Sequence, residues 1–301
     1  RQRRAPNGSP LVSTPSSNIA RSEGREFEFD DRDFRRVCEL IHQRVGIALA
    51  PAKRDMVYGR LSRRLRVLGM RSFQQYLDQL ERDGGEEWQA FTNALTTNLT
   101  AFFREPHHFD RLREELQRRA HTATSAQPLL LWSCAASTGE EPYSMAITAC
   151  EAFGTLKPPV RIVATDVDTQ VLATAARGVY TIDRVSGLDI DLKRRYFQRG
   201  SGPNEGQCRV LPALRELIDY RPLNLLAPRY DVGGPFTALF CRNVMIYFDK
   251  PTQRDILGRL VQHLADDGLL YTGHSENYLH AADLIQPCGR TLYRRATGAA
   301  R

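Results

Sequence analysis

After Gln127 the hydrophobic positions gather into short continuous runs, LLLWS, RIVATD, TALFCRNVMIYF and GLLYTGHS, separated by helix-like segments. Continuous apolar runs bounded by turns are the mark of strands buried on both faces. Their alternation with helices predicts a largely parallel sheet, a doubly wound, Rossmann-like α/β fold. The stretch 178–226 breaks this rhythm: RRYFQR and QCRVL, joined by GSGPNEG, read as a hairpin, and IDYRPL follows as a third strand. A small antiparallel β-subdomain inserted at about 180–223 is therefore expected.

Upstream, from Phe27 to about Leu95, the apolar period becomes helical in four segments: FDDRDFRRVCELIHQRVG, PAKRDMVYGRLSRRLRVLG, SFQQYLDQL and EEWQAFTNALTTN. Gly46 and Gly69 suit helix ends and Pro51 suits a first turn. The 301 residues are enough for two cores, so an all-α domain at 26–95 is expected ahead of a larger domain at 96–301. Residues 1–25 hold five arginines and one glutamate among Pro, Ser, Gly and Asn, a composition that predicts a disordered basic tail.

Within the second helical segment Val57, Leu61, Leu65 and Leu68 recur at helical spacing, and Lys53, Arg60 and Arg64 fall along one edge of that stripe. From Lys53 to Arg71 there are seven basic residues and one acid. The face is either a solvated helix surface or a docking surface for an acidic partner. The six cysteines, Cys38, Cys134, Cys150, Cys208, Cys241 and Cys288, form no C-x-x-C pair and read as free thiols in a reducing compartment. The seven histidines show no ligand spacing, so no metal is expected. No apolar run approaches membrane-spanning length and the first residues lack the apolar stretch of a signal peptide, which predicts a cytoplasmic protein without membrane insertion.

The stretch WSCAASTGEEPYS couples a strand to a small-residue turn and a helix start. Such turns usually offer backbone N–H groups to phosphate, but Glu140 and Glu141 would repel one, and the Gly-Lys-Ser/Thr ending of a P-loop is missing. Asp166, at the end of the next apolar run, is placed to accept hydrogen bonds from a ribose. Together these features point to an adenosine ligand without phosphates, for which S-adenosylmethionine is the candidate. The competing view is that the acids only stabilise helix starts.

TTNLTAFFRE, WSCAASTGEEPYS, ATDVDTQVLATAARGVY, FCRNVMIYFDK and GLLYTGHSEN, in this order, resemble the CheR family of S-adenosylmethionine-dependent methyltransferases, which esterify glutamate side chains of bacterial chemoreceptors. The resemblance covers about 27–295 and implies chemoreceptors as partners. It implies that Asn98, Thr100 and Arg104 line the cofactor site at the domain junction, that Glu141 meets the methionine amino group and Asp166 the ribose, and that Asn224, Leu225, Arg242 and Asn243 complete the adenosine pocket. Glu140 and Glu141 are interchangeable at this level. Arg104, Arg242 and Tyr247 are the expected polar groups around the reacting methyl, while Phe102 and Phe103 are expected in the core. Lys53, Arg60 and Arg64 would guide an acidic receptor helix. Arg195, Arg199, Gly200, Gly202 and Gly206 of the inserted hairpin would hold a C-terminal receptor peptide by strand addition. The protein is expected to act as a monomer.

Two other functions compete. A pI of about 9.2 invites a nucleic-acid methyltransferase, but the strand that would carry Asn-Pro-Pro-aromatic or Pro-Cys reads FCRNVMIYF, so no nucleic-acid partner is expected. A cofactor-binding protein without turnover is the other; its motifs would be broken, and these are intact.

Overall fold

The computed structural model describes residues 25–296; the basic tail expected at 1–25 lies almost wholly outside them. Four helices open the chain: α1 (Asp31–Val45), α2 (Arg54–Leu68), α3 (Phe73–Asp83) and α4 (Glu87–Leu95). Asp30 and Asp33 form a reciprocal capping box at the start of α1, and α1 and α2 stop at Gly46 and Gly69, both left-handed. Leu61, Leu65, Phe73, Tyr76 and Phe91 are fully buried in one apolar cluster, so this domain has its own core.

The larger domain runs α5 (His107–Arg118), β1 (Leu129–Ser133), α6 (Glu140–Phe153), β2 (Val160–Asp166), α7 (Thr169–Arg177), β3 (Val179–Thr181), α8 (Ile190–Tyr196), β4 (Phe197–Arg199), β5 (Gln207–Val210), α9 (Pro212–Arg215), β6 (Ile218–Pro222), β7 (Phe236–Cys241), α10 (Lys250–Gln262), β8 (Leu264–Thr272), β9 (Ile285–Gly289) and β10 (Leu292–Arg295). Seven strands form one sheet in the order β6-β2-β1-β7-β8-β10-β9. The first five are parallel, and β10 runs antiparallel to both β8 and β9. The order reverses beside β1, which opens a crevice past the ends of β1 and β7, the ordinary ligand position in such sheets.

The insertion exists, with different parts. β3, β5 and β4 make a three-stranded antiparallel sheet. IDYRP is not its third strand: β6 pairs parallel with β2 from Ile162–Ile218 to Asp166–Pro222 and forms an edge of the large sheet. RRYFQR is strand only from Phe197. Its first half ends α8, where Asp189 caps the start and Lys193, Arg194 and Arg195 sit in the last turn, the charge order a helix dipole favours. TALFCRNVMIYF is likewise strand only to Cys241; Met245–Tyr247 is a 3-10 turn. Among the described residues no helix is long and apolar enough to cross a membrane.

Candidate active site

The crevice is closed on one side by the helical domain. Asn224 Nδ2 donates to the Arg44 carbonyl (2.8 Å), Ala48 N to the Tyr247 carbonyl (3.1 Å), and Gln89 Nε2 to the Val167 carbonyl (2.8 Å). The resulting cleft is lined from both domains, by Val45 and Ile47 on the helical side and by the ends of β1, β2 and β7 on the other. Asn98, Thr100, Arg104, Glu141, Asp166, Asn224, Leu225, Arg242, Asn243 and Tyr247 all line it.

The two acids at the start of α6 part company. Glu140 is fully buried away from the cleft, where it accepts from Thr138 Oγ1 (2.6 Å) and pairs with Arg184 of the insertion. Glu141 faces the cleft; its Oε1 accepts from Ser133 Oγ (2.7 Å) and its Oε2 from Arg242 (2.9 Å). Burial raises the Glu141 carboxyl above its ordinary range, opposed by Arg242 and Ser133. Gly139, at φ +98, makes this turn: a Cβ there would stand 2.8 Å from that of Ala175.

Asp166 ends β2. One carboxylate oxygen accepts Ser137 N–H and the other Asp168 N–H, both at 2.9 Å, so each retains acceptor capacity for a further donor. Burial pushes this carboxyl up to about 6, held back by those two N–H groups. Asp168 ties the loops together, accepting from Thr96 Oγ1 (2.6 Å) and Asn98 Nδ2 (3.0 Å) while capping α7. Asn98 thus spends its side chain on the neighbouring loop.

The two arginines have different employment. Arg104 donates to the Leu99 carbonyl (3.0 Å) and meets no carboxylate among the described residues. Arg242 is 6% exposed, bonded to Glu141 and to the Arg104 carbonyl, 3.6 Å from Glu105, and flanked by the Phe109 and Phe240 rings. Its guanidinium is held in the cleft wall by these partners. Tyr247 is half-buried in the cleft lining, and its hydroxyl has no partner among the described residues. Phe102 is buried against Tyr180 and Phe197, and Phe103 packs on Phe109, as expected of core residues.

Left-handed backbone concentrates here. Among the described residues, five non-glycine residues have φ from +48° to +59°, and four of them, Phe103, Glu105, Ser137 and Asn243, line or flank the cleft. Such conformations cost about 1–3 kcal/mol each and persist where the surroundings enforce them. Asn243 crowds Gly273, whose Cβ would lie 2.4 Å from Asn243 Nδ2, so only glycine fits there.

Glu105, His107 and His108 are the one group with metal-like spacing among the described residues. Glu105 already faces Arg242 and accepts from His274 Nδ1 (3.0 Å), and these partners outweigh its burial and hold it below the usual carboxylate range. Burial, with Arg242 nearby, pushes His108 down to about 3. The acid charge here is matched by the protein's own cations.

The basic edge of α2 also divides. Arg60 donates to the carbonyls of Ala94 (3.1 Å) and Thr96 (2.5 Å), and Arg64 forks onto Glu87, which also accepts from Tyr76 Oη. Both hold the helical domain together. Arg63, not singled out by the spacing, is exposed in a groove that shares Thr96–Leu99 with the cleft; Lys53 is exposed as well but lies outside the groove lining.

In the insertion, Arg195 pairs with Glu151 at 2.6 Å, while Arg199 is exposed. Gly200 is required by the loop itself, since a Cβ would meet the Asn204 carbonyl at 2.1 Å; Gly202 and Gly206 take left-handed conformations. β3 and β4 each pair only with β5 among the described strands.

The cleft lies at the switch point of a doubly wound sheet, where such folds take their ligands, with Glu141 and Asp166 on its wall. Residues 98–293 match the family model described as CheR methyltransferase, SAM binding domain, and residues 32–96 its all-alpha domain, so the chain belongs to the CheR methyltransferase family. It is 50% identical over 289 residues to chemotaxis protein methyltransferase 2 of Pseudomonas aeruginosa, covering 95% of this chain and 99% of that protein. It is 52% identical over 264 residues to the chemotaxis protein methyltransferase of Salmonella typhimurium, covering 87% and 90% respectively. The chain is an S-adenosylmethionine-dependent methyltransferase of chemotaxis.

Proposed function

We propose that the chain methylates glutamate side chains of chemoreceptors in the cytoplasm, with the acceptor carboxylate entering the cleft between Arg104 and Tyr247. The observation that carries this reading is the division of labour among the cations: Arg242 is committed to Glu141 and Glu105 inside the wall, whereas Arg104 meets no carboxylate and the Tyr247 hydroxyl no partner among the described residues. The residues fit the cofactor. Arg104 suits its carboxylate, Glu141 its amino group, Asp166 its ribose hydroxyls, and Val167, Leu223, Leu225 and Phe248 offer an apolar wall to the adenine.

When bound, S-adenosylmethionine supplies an electrophilic methyl group on a positively charged sulfur. A glutamate acceptor is ionised at neutral pH, its reference pKa being about 4.3, so no residue of this chain need act as general base. The protein's part is orientation, which can contribute ~7–11 kcal/mol when reacting atoms are held in line. Tyr247 would donate to one carboxylate oxygen and leave the other to react.

An acidic receptor helix would lie in the groove beside Arg63 and Leu99, which leads into the cleft; Lys53 extends the positive face. With labelled cofactor and receptor fragments, the transferred label should be released by mild base, as an ester is and an N-methyl group is not. In the same assay Arg63→Glu should raise the receptor KM several-fold and leave kcat in place. Base-stable label would refute carboxylate methylation, and an unchanged KM would remove Arg63 from docking.

The β4 edge offers a second contact, where an extended C-terminal receptor peptide would add a strand and place its carboxylate near Arg199. Saturable peptide binding by the intact protein, lost on deleting 201–204 with cofactor affinity retained, is the expected result. Failure of every host chemoreceptor C-terminus to bind would dismiss the tether.

A further inference from the structure

Tyr247 stands on a three-residue 3-10 turn, which by itself makes only two backbone bonds, Tyr247 N–H to the Val244 carbonyl (3.1 Å) and Phe248 N–H to the Met245 carbonyl (3.0 Å). Turns of this kind are short and poorly bonded, too little to fix an aromatic side chain in one direction. Ala48 N–H of the helical domain reaches the Tyr247 carbonyl (3.1 Å), and two buried side chains outside the cleft lining grip the backbone on either side of it. Glu276, 8% exposed, follows β8; its Oε1 accepts the N–H groups of Val244 (3.1 Å) and Met245 (3.0 Å), and its Oε2 accepts that of Gly273 (2.5 Å). Gln253, 7% exposed on α10, donates Nε2 to the carbonyls of Met245 (2.8 Å) and Phe248 (2.9 Å). Lys250 Nζ donates to Gln253 Oε1 (3.2 Å), which fixes the orientation of the amide. The turn is therefore gripped by an acceptor at its N–H end and a donor at its C=O end.

We infer that Gln253 and Glu276 are positioning residues for methyl transfer, holding the 244–248 turn so that the Tyr247 hydroxyl meets the acceptor carboxylate. The inference rests on the reading of Tyr247 given above. Gln253 is the sharper probe, because its donor bonds go only to this turn, whereas Glu276 also holds Gly273.

A misplacement of about 1 Å at a reacting group can cost 100-fold in rate. Gln253→Leu should therefore lower kcat by ~10–100-fold at saturating cofactor and should speed amide hydrogen exchange at Tyr247 and Phe248. The deciding measurement is a double-mutant cycle with Tyr247→Phe: once the hydroxyl is gone, Gln253→Leu should change kcat less than about twofold. Losses that multiply, or unchanged exchange at Tyr247 and Phe248, overturn the positioning role and leave the reading of Tyr247 standing. An unchanged kcat in Tyr247→Phe overturns that reading and the inference with it. If Gln253→Leu does not fold, Gln253→Asn, which withdraws the amide by one methylene, takes its place with the same outcomes.

Discussion

Asp166→Asn should weaken binding of S-adenosylhomocysteine by roughly 10- to 150-fold, the effect of losing a charged acceptor worth about 1.5–3 kcal/mol. The carboxylate oxygens each hold one backbone N–H and keep capacity for a ribose hydroxyl, whereas an amide must turn its NH₂ toward one of the two N–H donors. Acid should act in the same direction. The Asp166 carboxyl, raised by burial to about 6, lies above its value of about 3.9 in an unfolded chain. Protonation thus stabilises the ligand-free fold, fully below the unfolded value, and that contribution is lost as pH rises through about 6. Ribose binding makes the opposite demand, since it needs the ionised form. Affinity measured by calorimetry should fall as pH drops below about 6, and the break should vanish in Asp166→Asn. Identical pH profiles for the two proteins would take Asp166 out of the ribose site.

Arg242→Met should cost about 3–5 kcal/mol of stability, because it leaves buried Glu141 and Glu105 without their shared cation. Denaturant unfolding at neutral pH is the measurement. The deficit should shrink toward pH 5, where an unpaired buried carboxyl can take up a proton, and it should also shrink in Arg242→Met/Glu141→Gln, which removes one of the stranded charges. A loss below about 1 kcal/mol, or no relief in the double variant, would show that Arg242 is not the clamp of this wall.

Much of this architecture is legible in the chain because its signals are local. Gly46 and Gly69 mark helix ends, and LLLW and IVA are continuous apolar runs because β1 and β2 lie inside the sheet. RRYFQR misleads because a six-residue mixture of basic and aromatic residues suits the last turn of a short helix as well as a strand. β9 and β10 give little warning, since IQPCG and LYRR are only partly buried at the sheet edge. Glu140 and Glu141 are adjacent, and what separates them is partners brought from elsewhere in the chain, Arg184 for the one and Arg242 for the other. Arg60 and Arg64 look like a solvated face because their partners, Glu87 and the carbonyls of Ala94 and Thr96, come from another helix and the segment just after it. Gln253 lies in no motif, and Glu276, although inside GLLYTGHSEN, carries no sign of its role, because both grip backbone groups that every residue possesses.

The cleft has its floor in one domain and its roof in the other, stitched by the Asn224–Arg44, Ala48–Tyr247 and Gln89–Val167 bonds. Whatever fills it acts as mortar. At a hundredfold excess over its dissociation constant a ligand adds about 2.7 kcal/mol to the folded state, and here that stabilisation falls on the seam as well as on either domain.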